Sequence, residues 1–159
     1  MRLKAVPPPP PSHDSLAAIT EAGPLVPEPR EAVRSSLSDR VEWVSTREGE
    51  AWVALALILG LLHESEEGIY RPREPPSDGE LRERFVAGVY GARELLAAIR
   101  EEGPLAPTAL VERVPIPPWE RRRHADPEAV HRERICRSIG WLDLYDSVEY
   151  EGEEYHLTL

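Results

Sequence analysis

Six arginines fall between Arg121 and Arg137, against Asp126, Glu128 and Glu133, a local net charge of +3. The chain of 159 residues carries a formal charge of -10, so everything outside this stretch sums to -13. Guanidinium groups are permanently charged and present planar donors, which suits them to phosphate. His131, Arg134 and Ser138 share one helical stripe, about a quarter turn from Ile135 and Ile139. Arg134 is predicted to point most nearly away from the core, with His131 at the edge, as a base- or phosphate-reading face. Arg121, Arg122 and Arg123 lie just before this stripe. Trp119 precedes them and can either stack on a base or pack against the domain. The same residues admit a plainer reading. Glu128–Arg132 and Glu133–Arg137 are i,i+4 pairs in the favourable order, which would neutralise two arginines within the helix.

Other chemistry is harder to find. Neither G-x-x-x-x-G-K-[ST] nor G-x-G-x-x-G occurs. His124 and His131 are seven apart, and His131 and Cys136 five, whereas zinc needs four ligands in closer or paired spacing. No metal, no cofactor and no small-molecule substrate is therefore expected, and the chain reads as a non-enzyme. Cys136 is the lone cysteine and excludes an internal disulfide, which fits a reducing, cytoplasmic setting. The opening "MRLKAVPPPPP" has no apolar core and does not resemble a secretory signal. The longest apolar run, Ala51 to Leu62, has twelve residues. As a helix it reaches about 18 Å, short of a bilayer core of about 30 Å, so no membrane partner is expected. Lys4 is the single lysine, and Glu outnumbers Asp 23 to 6. That bias suits helices and the ion-pair networks of hot or salty settings, although GC-rich coding produces the same bias.

What positions these residues follows from a repeat. "LAAITEAGPLVP" begins at Leu16 and "LAAIREEGPLAP" at Leu96; nine of twelve positions are identical at an offset of eighty. Gly60-Leu61-Leu62 and Gly140-Trp141-Leu142 keep the same offset. Each is followed by a Glu/Gly turn and an aromatic strand, "ESEEGIYRP" and "EYEGEEYHL". Three features in one order at one spacing indicate an internal duplication. The proline-rich "RPREPPSDGE" then marks the boundary between copies. After it, Leu81, Phe85, Val89, Leu95, Leu96 and Ile99 recur at helical spacing. Gly88 and Gly91 imply either a bend there or two shorter helices.

Each copy reads as helix, helix, helix, hairpin. In the second, Gly103 caps the first helix, "PTALVERV" forms the next, and Asp126-Pro127 starts the third, which Gly140 is expected to end. Val148 and Tyr150, then Tyr155, Leu157 and Leu159, alternate across the turn at Glu151-Gly152. "EEGPLAPTALVERV", the helix ending in "SIGWL" and the hairpin "VEYEGEEYHLTL" together resemble the winged helix-turn-helix superfamily. The expected fold is α+β and mainly helical, as two tandem winged-helix units. Residues 1–13 are expected to be a proline-rich disordered tail, 14–72 unit 1, 73–81 a linker and 82–159 unit 2.

The resemblance implies a DNA-binding, transcription-regulator-like protein. Its second unit would meet double-stranded DNA through Arg121, Arg122, Arg123, His131, Arg134, Ser138 and the wing at Gly152. The third helix of unit 1 carries no basic residue and is apolar nearly all round. Trp52, Val53, Leu57 and Ile58 are its candidate protein interface, to be covered by the sister unit, a second copy or another protein. The tandem architecture is also similar to segregation and condensation protein B. That likeness implies an adaptor in a chromosome-condensation or transcription complex without direct DNA contact.

Overall fold

The computed structural model describes residues 2–158. In unit 1 a 3-10 turn, His13–Leu16, runs into α1 (Ala17–Ala22). Then come α2 (Arg30–Arg40), α3 (Gly49–Leu59), and the strands β1 (His63–Ser65) and β2 (Gly68–Tyr70). Unit 2 comprises α4 (Asp78–Gly88), α5 (Ala92–Glu102), α6 (Pro107–Arg113), α7 (Pro118–Arg123), α8 (Pro127–Leu144), β3 (Val148–Glu151) and β4 (Glu154–Leu157). Each strand pair is an antiparallel hairpin, with Glu64 opposite Ile69 and Tyr150 opposite Tyr155. Leu159, assigned above to the second wing, lies outside the described residues.

Of the two outcomes expected at Gly88 and Gly91, a bend or two shorter helices, the structure has the second, with α4 ending at Gly88 and α5 starting at Ala92. The linker is shorter than the expected 73–81, because α4 already starts at Asp78. Ser77 caps it by accepting from the Glu80 amide at 3.3 Å, and its hydroxyl donates to the Glu80 carboxylate. Ser-Asp-Gly-Glu has the spacing of a capping box, but only the Ser77 half forms: the Glu80 carboxylate meets the Ser77 hydroxyl and not its amide.

The two equivalent glycines of the repeat behave differently. Gly60 ends α3 in the left-handed region at φ 79°, where a side chain would be strained. Gly140 does not end its helix. α8 continues for another turn to Leu144, and the hairpin starts only at Val148. Gly140 is there for clearance: a Cβ on it would come within 2.9 Å of Pro9.

Pro9 belongs to the segment expected to be a free tail, and that expectation is wrong. Leu3 pairs with the chain between α4 and α5, its amide donating to Gly88 O at 2.7 Å and its carbonyl accepting from the Tyr90 amide at 2.8 Å. Val6 is buried in the core. Pro7 O accepts the Trp141 indole N–H at 2.8 Å, and Val6 O accepts from Arg137 at 3.2 Å. Prolines lack an amide donor but keep their carbonyls, so an extended proline-rich strap can still bond as an acceptor.

One hydrophobic core runs through both units. α3 packs its own side with Leu55 and Leu59, and its far side lies against unit 2. Trp52 meets Trp141 of α8 at 5.5 Å between ring centroids, and Trp141 stacks on Phe85 of α4 at 5.6 Å. Ile58 lies over Gly88, where a Cβ would come within 2.4 Å of its Cγ2. Arg84 donates to the Leu59 carbonyl at 3.1 Å, satisfying an acceptor that α3 leaves open at its end. A shared core predicts shared unfolding. Trp141→Ala should cost about 3–5 kcal/mol. Both units should still melt in one transition, read as coincident far-UV and near-UV circular dichroism. Two separated transitions in the wild type would count against the shared core.

Candidate nucleic-acid interface

The arginine-rich stretch is built on α7 and α8. α6 ends at Arg113, ahead of Pro115; Pro117 and Pro118 start α7; and Asp126 caps α8 by accepting from the Ala129 amide at 3.2 Å. The short α7 is anchored by one inward residue, Glu120, which is 3% exposed. Its carboxylate takes His124 Nε2 at 2.8 Å, Arg134 at 3.1 Å and Lys4 at 3.4 Å. Burial alone would raise the Glu120 pKa. The hydrogen bond with His124, the charge of Arg134, and the bonds from Lys4 and Arg134 outweigh it and hold the carboxylate at about 2. Beside it lies a cavity of about 20 Å³, room for a single water.

With Glu120 turned inward, Arg121, Arg122 and Arg123 fan outward and are all exposed. Arg121 is held by Glu128 at 3.0 Å. Among the described residues, Arg122 and Arg123 have no carboxylate within 4.0 Å. Arg132, exposed on α8, has none either, so the expected Glu128–Arg132 pair does not form. The Glu133–Arg137 pair does, at 2.9 Å. Trp119 is 57% exposed, and the Lys4 ammonium sits 4.5 Å from its ring centroid.

The rest of the expected reading face is turned inward. His131 is buried, its Nε2 2.6 Å from Val114 O. Ser138 is buried as well. Arg134 points back at Glu120 rather than away from the core. Arg137 reaches across to Glu48 of unit 1 at 3.4 Å as well as to Glu133. The physical reason is the strap together with α7. They cover the side of α8 that a bare three-helix bundle would leave in water. Lys4, from the strap, and Glu120 are residues that sequence reasoning missed. The i,i+4 spacing of Glu120 and His124 was the available signal.

The second wing places Gly152 at its tip, where Gly152 and Glu153 both have positive φ, 61° and 65°. Two such residues make the tight hairpin turn that matches strand twist. Glu149, Glu151, Glu153 and Glu154 are all exposed on this wing. Four carboxylates make it a poor phosphate ligand. In unit 1, Trp52 and Val53 are buried inside the chain, and Trp52 meets Trp141 of unit 2. Leu57 and Ile58 are half-buried. Among the described residues, no three His, Cys, Asp or Glu side chains are grouped to hold a metal ion, and no helix is long and apolar enough to cross a membrane.

The Glu120 cluster carries a pH signature. Its folded pKa lies below the unfolded value near 4.5, so its stabilisation is complete above that value. It is lost as pH falls from about 4.5 through about 2. Glu120→Gln should destabilise the fold by about 3 kcal/mol near neutrality, the lower end for a broken buried pair because Arg134 and Lys4 stay partly hydrated. The gap between wild type and variant should narrow across that acid window in urea titrations. A constant gap down to the lowest pH would refute the assignment.

A family model described as the halobacterial double winged helix domain matches residues 1–158. No curated protein and no solved structure matches the chain. Two copies of a helical unit ending in a β-hairpin, in tandem and on one core, agree with that description. The chain belongs to the halobacterial double winged helix domain family.

Proposed function

We propose that this double winged-helix protein is a non-enzymatic, regulator-type DNA-binding protein that docks on duplex phosphates through α7 and the first turns of α8. The observation that supports this is the exposed triplet Arg121–Arg123 at the end of α7, just ahead of the third helix α8, with Arg122 and Arg123 unpaired among the described residues. The start of the third helix is the end that a helix-turn-helix protein turns toward the groove. Arg132 extends the surface along α8. His131, Arg134 and Ser138 hold the fold instead, and the Gly152 wing flanks the contact without gripping it. The only exposed thiol, Cys136, faces out from α8 and fits a reducing, cytoplasmic setting.

A second reading is favoured by the charge of the wings. Glu66 and Glu67 on the first, and the four glutamates on the second, would be repelled by phosphate. An adaptor in a chromosome-condensation or transcription assembly would have no need of that contact. Since Trp52 and Val53 are buried and Leu57 and Ile58 are half-buried, α3 offers little open surface, and such an adaptor would meet its partner mainly elsewhere.

Fluorescence anisotropy with a labelled random duplex, from low to molar salt, separates the two. Four arginines limit the slope of log K against log salt to about -3.6. Arg122→Glu/Arg123→Glu should lower the slope by about 1.8 and weaken binding at every sequence tested. Lack of binding at the lowest salt, or binding unchanged in the double variant, would sink the DNA reading in favour of the adaptor.

A further inference from the structure

A groove of about 540 Å³ runs between α4, α5 and the end of β4. Its floor is apolar and half-buried: Val86 from α4, Leu96 from α5 and Leu157 from β4. Its rim carries Arg82, Arg93 and Arg100, all exposed, against a single carboxylate, Glu83. None of the three arginines has a carboxylate within 4.0 Å among the described residues. Arg82 also borders a neighbouring cleft that holds Asp14, Asp78 and Asp146, so Arg93 and Arg100 define the rim. On a chain of net charge -10, an uncompensated basic rim around an apolar floor stands out.

The repeat supplies a control. Eighty residues earlier, the positions of Arg93, Leu96 and Arg100 are held by His13, Leu16 and Thr20. There the face is closed. Leu16 and Thr20 are buried, Thr20 donates to Leu61 O at 3.2 Å, and His13 meets the Tyr145 ring edge-on at 5.3 Å. The second copy carries arginines at the same place, and none of the described residues closes that face to a comparable degree.

We propose that this groove docks an acidic amphipathic helix of a partner protein. Arg93 and Arg100 are two helical turns apart, about 10 Å along the axis, with Leu96 between them on the same face. A facing helix with carboxylates seven residues apart and leucines between them complements that stripe, with its apolar side on Val86, Leu96 and Leu157. Nucleic acid fits less well, because phosphates gain nothing from the apolar floor. This surface is separate from the α7 arginines, and the inference holds whichever reading of those arginines is right.

The test uses the full chain and a labelled peptide of repeated Glu-Ala-Gln-Leu-Leu-Ala-Gln, with a counterpart carrying Lys for every Glu. The acidic peptide should bind and the Lys peptide should not. Arg93→Glu/Arg100→Glu should weaken the acidic peptide by about tenfold or more, as lost and reversed charge pairs at an interface do. Arg122→Glu/Arg123→Glu should leave it unchanged. Circular dichroism melts check folding, and Arg93→Gln/Arg100→Gln replaces the reversal if the latter unfolds. Failure of the acidic peptide to bind, or equal binding by a folded Arg93/Arg100 variant, overturns the proposal. Duplex binding that depends on Arg93 and Arg100, without peptide binding, overturns it in favour of nucleic acid.

Discussion

The indole of Trp141 lies where every part of this molecule meets. It is fully buried, and its ring contacts Trp52 of unit 1, Phe85 of the first helix after the linker, and Tyr145 of its own helix. An indole buried this deeply needs an acceptor for its N–H, because an unmade bond in the interior is costly. Pro7 supplies it, which draws the N-terminal strap across α8. Once the strap is in place, Gly140 must stay without a side chain to leave room for Pro9, and α8 runs on past the position where its repeat partner stops. The join between the units and the path of the strap thus meet at one buried side chain, to which Leu3, Val6, Lys4 and Arg137 add further contacts.

The same constraint reassigns the charged residues of α8. A helix covered on one side by a strap and on another by unit 1 has a narrow outer face. Arg137 lies along the seam, bonded to Val6 O and Glu48, and becomes part of the join between units. Arg134 and Lys4 converge on Glu120 and fasten both α7 and the strap. Buried carboxylates of this kind hold geometry more than they add net stability, because desolvation offsets much of the attraction. The result is a fixed α7, from which the arginines free to meet a partner project.

Divergence after duplication explains why the two units differ. Where the first has an apolar α3 pressed into the seam, the second has a longer, mixed helix with polar and charged outer positions. Where the first closes the face of Leu16 and Thr20, the second leaves Leu96 between two arginines. Both kinds of free arginine, on α7 and on α5, lie in unit 2. Both surfaces proposed for partners therefore lie in unit 2, although unit 1 also exposes Arg40 and Arg47.

Much of the fold was legible in the sequence, because the physics involved is local. The repeat at an offset of eighty, the glycine and proline stops and the Glu-Gly hairpins depend on nearby backbone rules, and they specified a tandem winged-helix protein. The exposure of Arg121–Arg123 was legible for the same reason. What only the tertiary structure decided was long-range. Five consecutive prolines do not reveal that the carbonyl of the first will accept from an indole 134 residues away, nor that Lys4 will reach Glu120. Helical spacing places His131, Arg134 and Ser138 on one stripe but not what lies opposite it. That stripe faces a buried carboxylate and the chain around Val114, and so the most promising reading face in the sequence became part of the core's polar lining.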